Sequence, residues 1–153
     1  MPKFKFKLQP VLHHRRKKED ILKKELADIK RVFKIEKAVL EELKQKLTRL
    51  HNDFRAKQQT SPDPAEAAAY SNYIDKVERD IEMQLIKLSE IASEVKRSQE
   101  RLIEASKDKK ILEKLYDKQY EEFQKEFARV EQGVIDELAT IRHNRKRSNL
   151  EEI

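Results

Sequence analysis

The chain reads as an all-α protein, a long two-helix antiparallel coiled-coil hairpin with an overhanging C-terminal helix. Three observations predict this. A hydrophobic seam in alternating three- and four-residue steps runs nearly the whole length and is interrupted once. The interruption, Thr60-Ser61-Pro62-Asp63-Pro64, holds two prolines; each lacks an N–H and biases the residue before it away from helical geometry. The 153 residues include one Gly, no Cys and no Trp, and 42% of them are charged. Such a mixture belongs to long helices rather than to a globular core. Two seams joined by a short turn meet only if the chain folds back on itself.

The elements follow in chain order within a single coiled-coil domain spanning residues 1–153. Residues 1–9 are an N-terminal arm. Its Lys3-Phe4-Lys5-Phe6-Lys7-Leu8 alternation has the period of a strand, but no partner strand exists elsewhere, so the arm is expected to be extended or loosely helical. Helix one covers 10–58, with Pro10 where a first turn tolerates proline. From Leu8 its seam runs through Leu12, Leu22, Leu26, Ile29, Phe33, Leu40, Leu43, Leu47, Leu50 and Phe54, broken by Arg15, Glu19 and Glu36.

The turn covers 59–63 and helix two 64–147. Asp63-Pro64-Ala65-Glu66 has the form of a capping box, with Asp63 as N-cap, Pro64 at the first helical position and Glu66 placed to bond back. The second seam takes in Tyr70, Ile74, Val77, Ile81, Leu88, Ile91, Val95, Leu102, Leu112, Tyr116, Phe123, Phe127, Val130, Val134 and Ile141, and weakens at Ser93, Ser98 and Ser106. Repeated four-residue steps late in this helix depart from a strict heptad and unwind the supercoil there. Residues 148–153 are assigned to a tail.

The helices are unequal. With the turn near Ser61, residue i faces about residue 122 − i, which sets Leu8 opposite Lys114. About 33 helical residues then project over roughly 50 Å. This overhang carries Tyr116, Tyr120, Phe123 and Phe127, then Val130, Val134, Leu138 and Ile141 at helical spacing. An apolar stripe without an intrachain partner is a candidate interface; self-association, or the arm folding along it, is the alternative.

A two-helix hairpin buries a stripe and encloses no pocket in which to desolvate a substrate, so the architecture argues against catalysis. No catalytic residue and no cofactor-binding residue stands out. His13 and His14 point about 100° apart on a helix and do not converge on one ion, and Gly133 alone makes no phosphate-cradling loop, so neither a metal nor a cofactor is expected. Most acids have a base four residues away, as Glu121 has Lys125, which reads as a solvated helix surface. Without cysteine, secretory signal or apolar span, the chain is expected to be soluble and cytoplasmic.

The net charge of +6 is concentrated at the chain ends. Residues 1–24 hold nine Lys/Arg against Glu19 and Asp20, and residues 139–149 hold Arg142, Arg145, Lys146 and Arg147 without an acid. In an antiparallel hairpin both clusters lie towards one pole. They admit three readings: solvated ends, contacts to phosphates, or docking on an acidic protein surface. The clusters lack interleaved aromatics and groove-binding signatures, so nucleic acid is not the expected partner. Phe4 and Phe6 among lysines suit a membrane surface, but the stretch is too short to anchor alone.

The run Phe4-Lys5-Phe6-Lys7-Leu8-Gln9-Pro10-Val11-Leu12, followed by Arg15 and Arg16, resembles the FliJ family of the bacterial flagellar type III export apparatus. Asp136-Glu137-Leu138-Ala139 followed by Arg142 is similar to that family's carboxyl helix; Gly133 departs from it and bears on the straightness of that helix. The resemblance implies a non-enzymatic cytoplasmic stalk, similar in fold to the coiled coil of the rotary ATPase gamma subunit. It also implies association with the hexameric export ATPase and with the membrane export gate, with substrate chaperones as further partners and membrane association only through partners. The residues expected to bind partners are Arg15, Arg16, Phe123, Phe127, Leu138, Ile141, Arg142 and Arg145. The competing class is a structural or nucleic-acid-binding coiled coil with basic ends.

Overall fold

The structure, a computed structural model, describes residues 2–152. Two α-helices account for nearly all of them: α1 (Gln9–Thr60) and α2 (Pro64–Glu151). They pack antiparallel, and among the described residues there is no strand. Residue 1 of the expected arm and residue 153 of the expected tail lie outside the described residues. By contacts the chain divides into two units, residues 17–105 and, separately, the N-terminal residues to Arg16 with α2 from Ser106 onward.

In the first of these, the turn is built as its prolines require. Thr60 Oγ1 donates to the Ala56 carbonyl at 3.0 Å, and Ser61 N–H donates to the Lys57 carbonyl at 2.9 Å, closing α1. Asp63 caps α2, its Oδ1 accepting from Ala65 N–H at 3.0 Å. The other half of the expected capping box is not formed. Glu66 Oε1 instead accepts from Lys57 Nζ at 3.0 Å, an ion pair from the last turn of α1 to the first of α2 that pushes the Lys57 ammonium pKa up. Phe54 and Tyr70 pack beside it with centroids 5.5 Å apart.

Between the helices of this unit the seam buries Leu22, Leu26 and Leu40 of α1 against Ile74, Val77, Leu88 and Ala105 of α2. Each fully covered aliphatic side chain is worth about 1.5–3 kcal/mol. The polar residues that break the seam are accommodated. Glu36 accepts from Gln84 Nε2 through its carbonyl at 2.9 Å and its Oε2 at 2.7 Å, while Lys87 Nζ reaches its Oε1 at 3.1 Å. The hydrogen bonds from Gln84 and Lys87 hold the Glu36 carboxyl below its ordinary range. Glu19 is buried and pairs with Lys23 at 2.9 Å. Ser98 is fully buried, and its hydroxyl has no hydrogen-bond partner.

Two boundaries differ from the sequence reading. Residues 148–151 are helix and not tail, because Glu152 N–H donates to the Ser148 carbonyl and Arg147 pairs with Glu151 at 3.8 Å. The linker shrinks to residues 61–63, since α1 keeps its last turn through Thr60. Gly133 does not interrupt α2: its φ is not positive, and a Cβ there would meet nothing within 4 Å.

Ser98→Ala removes a desolvated, unpaired hydroxyl and is expected to raise stability by about 1 kcal/mol, whereas Leu40→Ala should lower it by about 2–4 kcal/mol. Urea melts of the two variants check the signs; loss of stability in Ser98→Ala would mean that the hydroxyl has a partner. For Glu36 the folded carboxyl lies below its ordinary value of 4.5. Its contribution is therefore present above that pH and is lost as pH falls through the folded value. The stability gap between the native chain and Glu36→Gln should stay level from neutrality down to about pH 5 and close below it. A gap that held constant in acid would rule out the carboxylate as its source.

Candidate partner-binding surface

In the other unit the arm packs on α2 and covers part of the expected overhang. Phe6 is buried with Leu12 and Leu112, and Phe4, Leu115 and Tyr116 close around them. Phe6 meets the Tyr116 ring edge-on at 5.3 Å. Phe4 lies among Tyr116, Tyr120 and Phe123, with centroids 5.3, 5.4 and 5.5 Å away. In an extended segment alternate side chains share a side, so Phe-Lys-Phe sends both rings to α2 and leaves the lysine between them exposed. Aromatic pairs of this kind are worth about 0.5–1.5 kcal/mol each beyond their area.

Of the two readings of this stripe the structure follows the alternative, the arm folding along it, and corrects the one in which Tyr116, Tyr120 and Phe123 have no intrachain partner. Phe4 and Phe6 take that role, so the two rings that would suit a membrane surface are engaged by the chain itself. Leu8, expected to begin the seam, is 38% exposed in the turn before α1 because Phe6 has taken the covered position. The signal was present in the sequence: a period-two aromatic pattern needs an apolar wall, and α2 provides one.

The basic clusters separate. Arg15 Nη1 donates to the Asp108 carbonyl at 2.8 Å, and Arg16 Nε lies 3.6 Å from the Glu113 carboxylate. These two arginines tie α1 to α2. From Asp108 to Arg142 is about 34 residues of helix, roughly 50 Å, so the structure does not gather Arg15 and Arg16 with Arg142 and Arg145. The expected shared basic pole is replaced by a pinned pair and a distant exposed cluster, because α2 continues so far past the first turns of α1.

Phe127 is half-buried, stacked on Phe123 of its own helix at 6.4 Å. From Ala128 to Glu152 every described residue is exposed. Val130, Val134, Leu138 and Ile141 stand 50–56% exposed in a stripe that runs into Arg142, Arg145, Lys146 and Arg147. The helix is supported there by its own surface pairs, among them Arg129 with Glu126 at 2.7 Å and Gln132 with Asp136 at 3.0 Å. The Arg129 guanidinium pKa is pushed up by the hydrogen bond it donates to the Glu126 carboxylate. Of the residues expected to bind partners, Leu138, Ile141, Arg142 and Arg145 thus lie together on open helix, with Phe127 at its inner edge. Phe123 is shared with the arm. Among the described residues no three His, Cys, Asp or Glu side chains gather where a metal ion would sit, and no helix is long and apolar enough to cross a membrane.

The family described as flagellar FliJ protein matches residues 4–148. A solved structure from Chlamydia trachomatis, assigned as a YscO homologue, is 18% identical with a TM-score of 0.57 and covers 95% of this chain and 99% of its own. That likeness is one of fold. Among curated proteins there is no match.

Phe4→Ala removes three ring contacts and should loosen the arm, with a loss of about 1–3 kcal/mol read as faster amide exchange from Phe6 to Leu12. Phe127→Ala should leave the free chain's melting within about 0.5 kcal/mol. Equal losses from the two would show Phe127 to be as firmly packed as Phe4.

Proposed function

The chain belongs to the flagellar FliJ protein family and is a component of flagellar protein export; from that premise we propose that it is the non-enzymatic stalk linking the hexameric export ATPase to the membrane export gate. The stalk stands on the cytoplasmic side and reaches the membrane only through its partners. The open end of α2 enters the ATPase ring, and the paired helices present their surfaces to the gate and to substrate chaperones.

One observation carries this reading: a helix exposed from Ala128 onward that bears an apolar stripe ending in a basic cluster. Four half-exposed aliphatic side chains in line are ready to be covered, and the cluster beyond them attracts an acidic or polar lumen before contact. Arg15 and Arg16 contribute indirectly, by fixing where α2 leaves α1, and not as ring contacts. Phe127 marks the inner limit of the surface left for a partner.

Replacing Arg142, Arg145, Lys146 and Arg147 by glutamine should slow association with the ATPase about tenfold at low salt and flatten its salt dependence. Replacing Leu138 and Ile141 by alanine should leave association nearly unchanged and speed dissociation about tenfold or more. Surface-immobilised kinetics at two salt concentrations separate the effects. Unchanged kinetics in both variants would move the contact to the paired helices. ATPase binding retained by the four-charge variant, with loss of duplex DNA binding, would instead favour a nucleic-acid role for the cluster.

A further inference from the structure

The open end of α2 carries opposite charge on its two halves. From Glu121 to Glu137 the acids Glu121, Glu122, Glu126, Glu131, Asp136 and Glu137 exceed Lys125 and Arg129, for a net −4. From Leu138 to Arg147 the bases Arg142, Arg145, Lys146 and Arg147 stand without an acid, for a net +4. The apolar stripe of Val130, Val134, Leu138 and Ile141 crosses the boundary, half exposed throughout. A surface that fits it presents an apolar strip flanked by the reverse order of charge. The same helix segment, turned end for end, is such a surface.

We propose that the open α2 ends of two copies of this chain pair antiparallel about a two-fold axis close to Leu138. Such a pairing is isologous, so every favourable contact occurs twice. Glu131 and Arg145 lie seven residues on either side of Leu138, and the axis sets Glu131 of one copy beside Arg145 of the other. It also brings Val134, four residues before Leu138, close to Ile141, three residues after it. A parallel pair lays the acidic half on the acidic half and the basic half on the basic half, except at the boundary, where Glu137 faces Arg142. Glu137, on the opposite flank of the stripe, meets its own counterpart near the axis, a like-charge contact that opposes the pair.

The pair is weak. The stripe from Val130 to Ile141 is about 17 Å long, and one such strip per chain covers less than the ~1,200–2,000 Å² of stable complexes. It therefore forms and parts readily, and it occupies the same side chains that the ATPase reading assigns to the ring, so the two occupants exclude one another. The proposal does not rest on that reading, since it needs only the chain itself.

Sedimentation velocity of the full chain, from about 5 to about 500 µM, tests it. Dimer should grow with concentration, and the dissociation constant should rise at least about fivefold from low salt to about 0.5 M, where the Debye length falls to a few ångströms. Glu131→Arg or Arg145→Glu alone sets like charges against each other at both symmetric contacts and should weaken dimerisation about tenfold. An equimolar mixture of the two variants should restore it, because their altered charges complement one another across the axis. Glu137→Gln should tighten an antiparallel pair; in a parallel pair, where Glu137 faces Arg142, it should weaken it. All these changes lie on exposed helix, and circular dichroism checks that folding is unaffected. A monomer across the whole range, a mixture that does not recover, or weakening by Glu137→Gln would each overturn the proposal.

Discussion

Two helices shield only a stripe from water, and the rest of the structure follows from how that stripe is kept in register. Aliphatic seams alone tolerate a slip of one heptad, since Leu on Leu looks much the same seven residues along. Glu36 does not tolerate it. Its carbonyl and both carboxylate oxygens are matched to Gln84 and Lys87, and a slip would leave a carboxylate facing aliphatic side chains. Lys57 with Glu66 fixes the turn in the same unit, and Arg15 with Asp108 fixes the arm-bearing unit. Two of the three charged residues that looked like faults in the seam, Arg15 and Glu36, are groups that select its alignment.

Much of this was legible in the sequence because it depends on spacing. The two prolines locate the turn, the three- and four-residue steps locate the seams, and the register 122 − i pairs Phe6 with Tyr116 and, in the other unit, Glu36 close to Gln84. Side-chain reach was less legible. Glu66 has a free choice between its own N-cap and a lysine across the turn, and the stronger charge-assisted bond prevails. Phe4 and Phe6 carried a visible pattern whose partner lies more than a hundred residues away, which no local window detects. The arginine clusters were joined by topology in the reading and are parted by helix length in the structure.

The candidate surface was legible as a class of residue more than as a boundary. An unpartnered apolar stripe followed by bases could be read from periodicity, while its starting point could not, because that depended on how far the arm reaches along α2. Ser98 shows the reverse case. A serine in a seam reads as a weak point, but only packing reveals that the hydroxyl is wholly desolvated and unpaired. Among the described residues the protein thus combines a seam in which the Ser98 hydroxyl is the unpaired buried side-chain atom with one end whose apolar side chains are left uncovered.

That uncovered end also affects what bulk unfolding measurements report. From Ala128 to Glu152 the helix already exposes half or more of each large apolar side chain in the folded state. Its melting therefore adds less per residue than that of the paired seam to the heat-capacity change and to the denaturant slope, both of which scale with surface newly exposed to solvent. Calorimetry or urea titration of the whole chain will register a smaller protein than 153 residues. The missing part is the one that helical circular dichroism still counts.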